Sequence, residues 1–436
     1  MRRALLFWLL VCAGLPAQQV PQATDLPSHP FFIKNTWYIG GTGNWEYLTM
    51  DPQSDRLYIA HGISVQVEDV DAGTLAGEIT GFDEARQVAL DDTGEHGYIS
   101  DGPRGKVTVF DRQTLKKVVE IDTGPNPRSM VFDPLTRLLF VVRANPPAEE
   151  VAAPAGRRRP GAREEPPAEH GIQSFVTVID TQSQTVVGEI ILTGTLGFAV
   201  EDENNQVYVS VTDRNQIFRF DAQVVAALLH VQPEGAPVPA TESSSASVTE
   251  VSGAGNGPGT GPGTAKAAPP WVTLDWSGGH VPSAGEAHLR TFSLSPECAD
   301  PASLAIDSAH MRVFAACNNR ELVVVNAGNG EKVTTLPIGP GVDAVGYDQE
   351  HGLIFTANGG AEGSMTIIRQ DVTDTYAVIQ TLPTRQRAST LAVNPQTGAV
   401  YLVTDYHGVD LSHPGGIGTL EQTSVKGSFQ VLQIAY

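Results

Sequence analysis

One phrase recurs seven times along the chain. An acidic or amide turn residue is followed, four to six residues later, by a β-rich triplet centred on an aromatic residue. It reads DPQSDRLYIA from Asp51, DDTGEHGYIS from Asp91, DPLTRLLFVV from Asp133 and EDENNQVYVS from Glu201. It returns as DSAHMRVFAA from Asp307, DQEHGLIFTA from Asp348 and NPQTGAVYLV from Asn394. Tyr58 to Tyr98 spans 40 residues, Tyr98 to Phe140 42, Phe314 to Phe355 41 and Phe355 to Tyr401 46. A period of this size is the signature of a repeat architecture.

Two gaps are longer: Phe140 to Tyr208 is 68 residues and Tyr208 to Phe314 is 106. Less one period of roughly 42, they leave about 26 and about 64 residues. The first surplus matches a Pro/Ala/Arg/Glu segment at 145–171, and the second contains a Ser/Gly/Pro/Thr segment at about 232–270. Neither composition buries enough apolar surface to offset ordering entropy, so both are expected to be disordered insertions. An eighth repeat in the longer gap is the rival count. Only WVTLDW (Trp271 to Trp276) and HLRTFSL (His288 to Leu294) read as strands there, too few for another unit.

Each repeat carries short β-rich runs bounded by Gly, Asp, Pro and Asn, as in RQVALDD, HGYISD and KVTVFD followed by KKVVEI. The third run ends in Asp111, Asp180 and Asp221, and in Asn326. Four antiparallel strands per repeat, without helices between them, predict an all-β, seven-bladed β-propeller. Leucine-rich and helical solenoids need a 3.6-residue periodicity that is missing. The tail GSFQVLQIAY resembles a third strand with no fourth after it. The head segment FFIKNTWYIGG supplies the missing strand and closes the last blade, which removes the exposed edges of an open sheet. One domain over 31–436 follows.

The opening MRRALLFWLLVCAGLPA has Arg2 and Arg3, an apolar run from Ala4 to Ala13 and small residues before Gln18. That is the pattern of a signal peptide over residues 1–17, cleaved to release a periplasmic or secreted protein, with a retained anchor as the rival reading. No segment is long and apolar enough for a membrane span. Past Cys12, two cysteines remain, Cys298 and Cys317, flanking a hairpin turn near Ser308. In an oxidising compartment a disulfide is expected, against two buried thiols.

The formal net charge is −21, and losing Arg2 and Arg3 takes it to −23. Such a surface repels nucleic acid and anionic membranes. The Arg157–Arg159 cluster is interleaved with Glu149, Glu150, Glu164 and Glu165, so it reads as a mixed-charge loop.

The repeats resemble the YVTN type, and the chain is similar to the YncE-like exported bacterial propellers. The resemblance runs from Ile33 to Tyr436 outside the insertions and is most specific over Cys298 to Asp348, where a paired-cysteine hairpin precedes IGPGVDA. It implies an exported propeller and brings no catalytic set. The chain departs from the pattern at Arg128 after Asn-Pro, where relatives carry an acidic residue, and at Arg387–Thr390.

No Cys-x-x-Cys-His, His-Glu-x-x-His, clustered Cys/His pattern or Gly-x-Ser-x-Gly occurs. His96, His310 and His351 fall in the acidic turns. His407 and His413, near Asp405 and Asp410, are a candidate metal pair against a plain polar loop. Propellers bind at the channel mouth. There the ends of second strands supply Asp101, Asn318, Asn358 and Asp405, and the loops leading into first strands supply Arg86, Arg128, Asp343 and Arg387. The rival reading is that they only satisfy turns.

Two functions remain. The favoured one is a monomeric, non-catalytic binding or scaffold protein without cofactor, engaging a polar ligand, a protein or a cell-envelope component. The alternative is a lactonase- or lyase-type enzyme with calcium or another divalent cation held by Asp101, Asn318, Asp343 and Asn358.

Overall fold

The inner strand of each repeat stands beside the inner strand of the next, and the last, Leu391–Val393, packs on the first, Trp45–Asp51, closing a ring. This computed structural model describes residues 29–41, 43–143, 172–229, 271–277, 289–371, 374–409 and 422–436. The expected signal peptide and both expected insertions lie outside the described residues.

Seven antiparallel sheets radiate from the axis, each starting with the strand that precedes a repeated turn. Blade 1 comprises Trp45–Asp51, Arg56–His61, Ser64–Asp69 and Thr74–Thr80, and blade 2 runs from Ala85–Leu90 to Lys117–Asp122. The inner strands of blades 3 to 6 are Pro127–Asp133, Leu196–Glu201, Pro301–Asp307 and Val342–Asp348. Blade 7 takes Leu391–Val393, Val400–Thr404 and Gln430–Ala435, then Phe32–Tyr38 from the head of the chain as its outer strand. Head and tail pair antiparallel from Phe32 opposite Ala435 to Tyr38 opposite Gln430. They are also clipped to blade 6. Phe31 exchanges two hydrogen bonds with the Gln380 amide, and the Tyr436 hydroxyl lies 3.1 Å from His351 Nε2.

The repeated phrase has a physical meaning in two parts. Its aromatic residue is the wedge of a seam. Tyr58, Tyr98, Phe140, Tyr208, Phe314, Phe355 and Tyr401 are all buried, each at the centre of a different apolar cluster between two blades. Truncating one to Ala would cost roughly 3–5 kcal/mol.

Its acidic residue is a turn acceptor. Asp51, Asp91, Asp133, Asp307, Asp348 and Asn394 are buried, and each accepts a backbone N–H two or three residues on, from Gln53, Gly94, Thr136, His310, Glu350 and Gln396. In blade 4 the acceptor is Asp202 and not Glu201, one residue later than the repeat alignment places it. The turn then swings left-handed before the second strand, at Asp55, Arg137, Asn205 and Met311, with φ between 52° and 63°. The same position falls on Gly352 and Gly398, where a side chain would be strained. A second row of such turns follows the third strands, at Asp69, Asp111, Asp180 and Asn326.

Asp221 departs from that row. Its carboxylate caps the N–H groups of Gln223 and Val224 and opens a helix, Ala222–Leu228, in a chain read as free of helices. The good helix formers of AQVVAAL behind an Asp are the signal that was there. The two strand-like runs of the long gap also find places. Val272–Asp275 adds to blade 3 as a fifth strand, parallel to Thr185–Thr193, and Leu289–Ser293 is the outer strand of blade 4. Cys298 and Cys317 are disulfide-bonded with Cα atoms 5.4 Å apart.

Candidate functional site

Inner strands begin at one face of the ring, here called upper, where second strands end. At that end the ladder between first and second strands slips register in blades 1 to 6, for example between Trp45 and Leu48, Ala85 and Val88, and Pro127 and Met130. Such bulges re-aim side chains. Here they carry Glu46 and Tyr47, Arg86 and Gln87, Arg128 and Ser129, Phe198, and Asp343. The bulges are also lashed to the next blade: Met130 N–H donates to Gln87, Ala199 N–H to Ser129 Oγ, and Val345 N–H to Ser303 Oγ.

Four of these side chains form a charged collar. Arg86 Nη1 donates to Glu46 Oε1 at 2.6 Å and Nη2 to Glu84 Oε2 at 2.8 Å. Arg128 Nη2 stands 3.8 Å from the other oxygen of Glu46, with 41% of its side chain exposed. Asp343 is exposed. The floor is aromatic. Tyr47 of blade 1 meets Phe198 of blade 4, ring centroids 5.0 Å apart, and because these blades are not neighbours the contact spans the channel. Burial pushes the Tyr47 hydroxyl up to about 12; Glu46 and Asp343 add to the rise while Arg128 and Arg86 oppose it. Tyr47 is therefore a neutral phenol at physiological pH, able to donate one hydrogen bond.

Beside the collar, Arg387 stacks on Trp45 at 4.7 Å and faces the buried Asp405, its Nε 3.4 Å from Oδ1. His407 Nε2 lies 3.3 Å from the other Asp405 oxygen. His413 and Asp410, the rest of the suggested metal set, lie outside the described residues. Among the described residues, no group of three His, Cys, Asp or Glu is placed to hold a metal ion.

The eight rim residues divide. Arg86, Arg128 and Asp343 reach the mouth, and Arg387 with Asp405 sits at its edge over Trp45. Asp101 is buried and accepts the N–H groups of Asp83 and Glu84. Asn358 is buried against Ser364 and Thr366. Asn318 donates to Asp300 at 2.6 Å. These three hold local turns, so the four residues suggested as cation ligands do not present their oxygens together.

Sequence reasoning missed Glu46, Tyr47 and Phe198. The period itself could have found one of them: Glu46 precedes Arg86 by 40 residues and Arg86 precedes Arg128 by 42, the same steps as Tyr58, Tyr98 and Phe140.

No protein-family model matches the chain, and no curated protein matches it. Solved structures do. The WD40 repeats of RRP9 superpose with a TM-score of 0.58 at 8% identity, covering 91% of this chain and 96% of that one. U3-55K gives 0.57 at 8%, over 91% and 97%. A chain of the mitotic checkpoint complex gives 0.56 at 12%, over 92% and 95%. At these identities the likeness carries the fold and nothing finer: the chain is a seven-bladed β-propeller.

Proposed function

We propose that the protein is an exported, non-catalytic binding or scaffold module that engages a polar ligand or partner at the upper channel mouth. The observation that carries the reading is the collar itself. Charged side chains from blades 1, 2, 3 and 6 act on one aromatic floor, and Arg128 is left half exposed with a long contact to Glu46. A guanidinium so placed suits a carboxylate-bearing group whose flat or apolar body rests on Tyr47. The resemblance to YncE-like propellers and the N-terminal leader pattern support the export half of the reading, and the propeller neighbours support the scaffold half. No observation favours the lactonase or lyase alternative, since Asp101 and Asn358 are buried in turn hydrogen bonds.

The test uses the protein starting at Gln18 against immobilised short acidic peptides. Binding that falls at least tenfold in Arg128→Glu and is kept in Lys34→Glu, a charge reversal on the exposed outer strand of blade 7, supports the mouth. Equal binding by the wild type and Arg128→Glu removes it. N-terminal sequencing of the protein from its native compartment checks export, and an intact Met1 would overturn that half alone.

A further inference from the structure

On the lower face, the residue just before a turn acceptor can reach back across the seam to the acceptor of the previous blade. In blade 6 this residue is Tyr347, whose side chain hydrogen-bonds Asp307 of blade 5. The pairing is simple there, because a phenol supplies the proton. In blade 4 the same position is Glu201, and its partner is Asp133 of blade 3.

Two carboxyls now face each other. Asp133 is fully buried, and its Oδ2 is satisfied by the N–H and hydroxyl of Thr136. Its Oδ1 and Glu201 Oε1 are both buried with no donor among the described residues. The other groups acting on Glu201 are Asp202, which is also acidic, and the Asn205 amide N–H. If both acids were ionised, two acceptors would be buried together with no proton between them, which is costly.

We propose that Glu201 is a neutral carboxylic acid that donates its proton to Asp133, and that this shared proton is a pH-sensitive staple between blades 3 and 4. Glu201 takes the donor role that Tyr347 plays two blades on. The stapled seam is the one against which the helix Ala222–Leu228 and the added strand Val272–Asp275 pack, so its loosening would release the most irregular part of the ring. Burial pushes Glu201 up to about 8, and the Asp133 and Asp202 charges add to the rise. The native state thus keeps a proton that the unfolded chain sheds near 4.5. The contribution to stability is present below that pH and is lost as pH rises through about 8.

The experiment combines infrared difference spectra with thermal melting across pH 5 to 9 on full-length protein. In wild type the protonated-carboxyl absorption at pH 7 should include a component with a midpoint near 8 that Glu201→Gln removes, leaving the component of the other buried acid, Glu68, with a midpoint near 7. The amide of Glu201→Gln still donates to Asp133, so that variant should lose part of the alkaline fall in melting temperature. Asp133→Asn, which removes the facing charge, should lower the midpoint of the Glu201 component and keeps the test informative if the first variant folds poorly. Equal pH slopes in wild type and Glu201→Gln, or no such component at pH 7, would overturn the proposal. So would calcium raising the melting temperature of wild type and not of Glu201→Gln, because a cation would then hold the pair.

Discussion

The two faces of the ring are built on opposite plans. On the lower face the same device returns blade after blade: a buried Asp or Asn gathering backbone N–H groups, often with a side chain from the neighbouring strand. Arg112 joins two of them, with Nη2 2.6 Å from Asp51 and Nη1 3.4 Å from Asp91. On the upper face the equivalent positions hold Glu46, Arg86, Arg128, Gly197, Ala302 and Asp343, so acids, arginines and small residues share one repeated place. Repetition marks what the fold needs seven times. Variation at fixed geometry marks where a ligand can be read. The largest effects on stability should therefore come from the ring closure and the lower face, and the smallest from the collar.

Ring closure is the extreme case. Removing residues 29–39 deletes the outer strand of blade 7 and with it Trp37, stacked on Tyr401 at 6.1 Å. It also exposes the edge of Gln430–Ala435. The expected loss is roughly 5 kcal/mol or more, with aggregation through the bared edge. Thermal melting and light scattering measure it, and a truncated protein that melts like its parent would deny that the head strand closes the ring.

The comparison between faces is sharpened by a matched pair of acids. Asp307→Ala removes a buried acceptor used by the His310 N–H, the His310 ring, Gln370 and Tyr347, and leaves partly buried donors unpaired. A loss of about 3 kcal/mol is expected by chemical denaturation. Asp343→Ala on the upper face removes an exposed carboxylate and should stay within about 0.5 kcal/mol. Similar losses for the two would erase the distinction between structural and recognition acids.

How much of this was legible follows from the same division. Blade number, strand order, the closing head strand and the cysteine pair could be read because each rests on features the chain repeats or holds symmetrically: aromatic wedges, acidic turns, a hairpin between two thiols. The helix after Asp221 was hidden because the Asp looks like the turn acceptors of its row, and only the residues behind it differ. The parallel fifth strand was hidden because nothing in WVTLDW says which blade it joins. At the mouth, Arg86 and Arg128 were visible as charges beside strand starts. Asp101 and Asn358 are polar too and end second strands at the same face, yet they are buried, and polarity alone does not separate a turn acceptor from a rim ligand. Tyr47 and Phe198 read as strand aromatics until the ring brings blades 1 and 4 face to face.

A stabilising change should come from the seam between blades 7 and 1. Glu68 is fully buried opposite Leu57, and both carboxylate oxygens lack a partner among the described residues. Burial pushes it up to about 7, with Asp69 adding to the rise. The native state therefore holds a proton above the unfolded value of 4.5, and stability falls as pH climbs from there through about 7. Glu68→Met keeps the volume and removes the penalty. It should gain roughly 2 kcal/mol at pH 8 and almost nothing at pH 4. Denaturation at both pH values checks this, and an equal gain at each would mean that packing, not charge burial, is responsible.

The smallest expected effect is the most informative about function. Arg128 has two-fifths of its side chain in solvent and touches Glu46 only at 3.8 Å. Arg86 already satisfies Glu46 at 2.6 Å, so Arg128→Ala leaves no buried charge unpaired. Its cost to stability should be within about 0.5 kcal/mol, the range of exposed ion pairs. Arg86→Ala strips both Glu46 and Glu84 of their close partner and should cost about 1–2 kcal/mol. If Arg128→Ala proved as damaging as Arg86→Ala, the half-free guanidinium would be part of the scaffold, and the proposed carboxylate-reading mouth would lose its one uncommitted cation among the described collar residues.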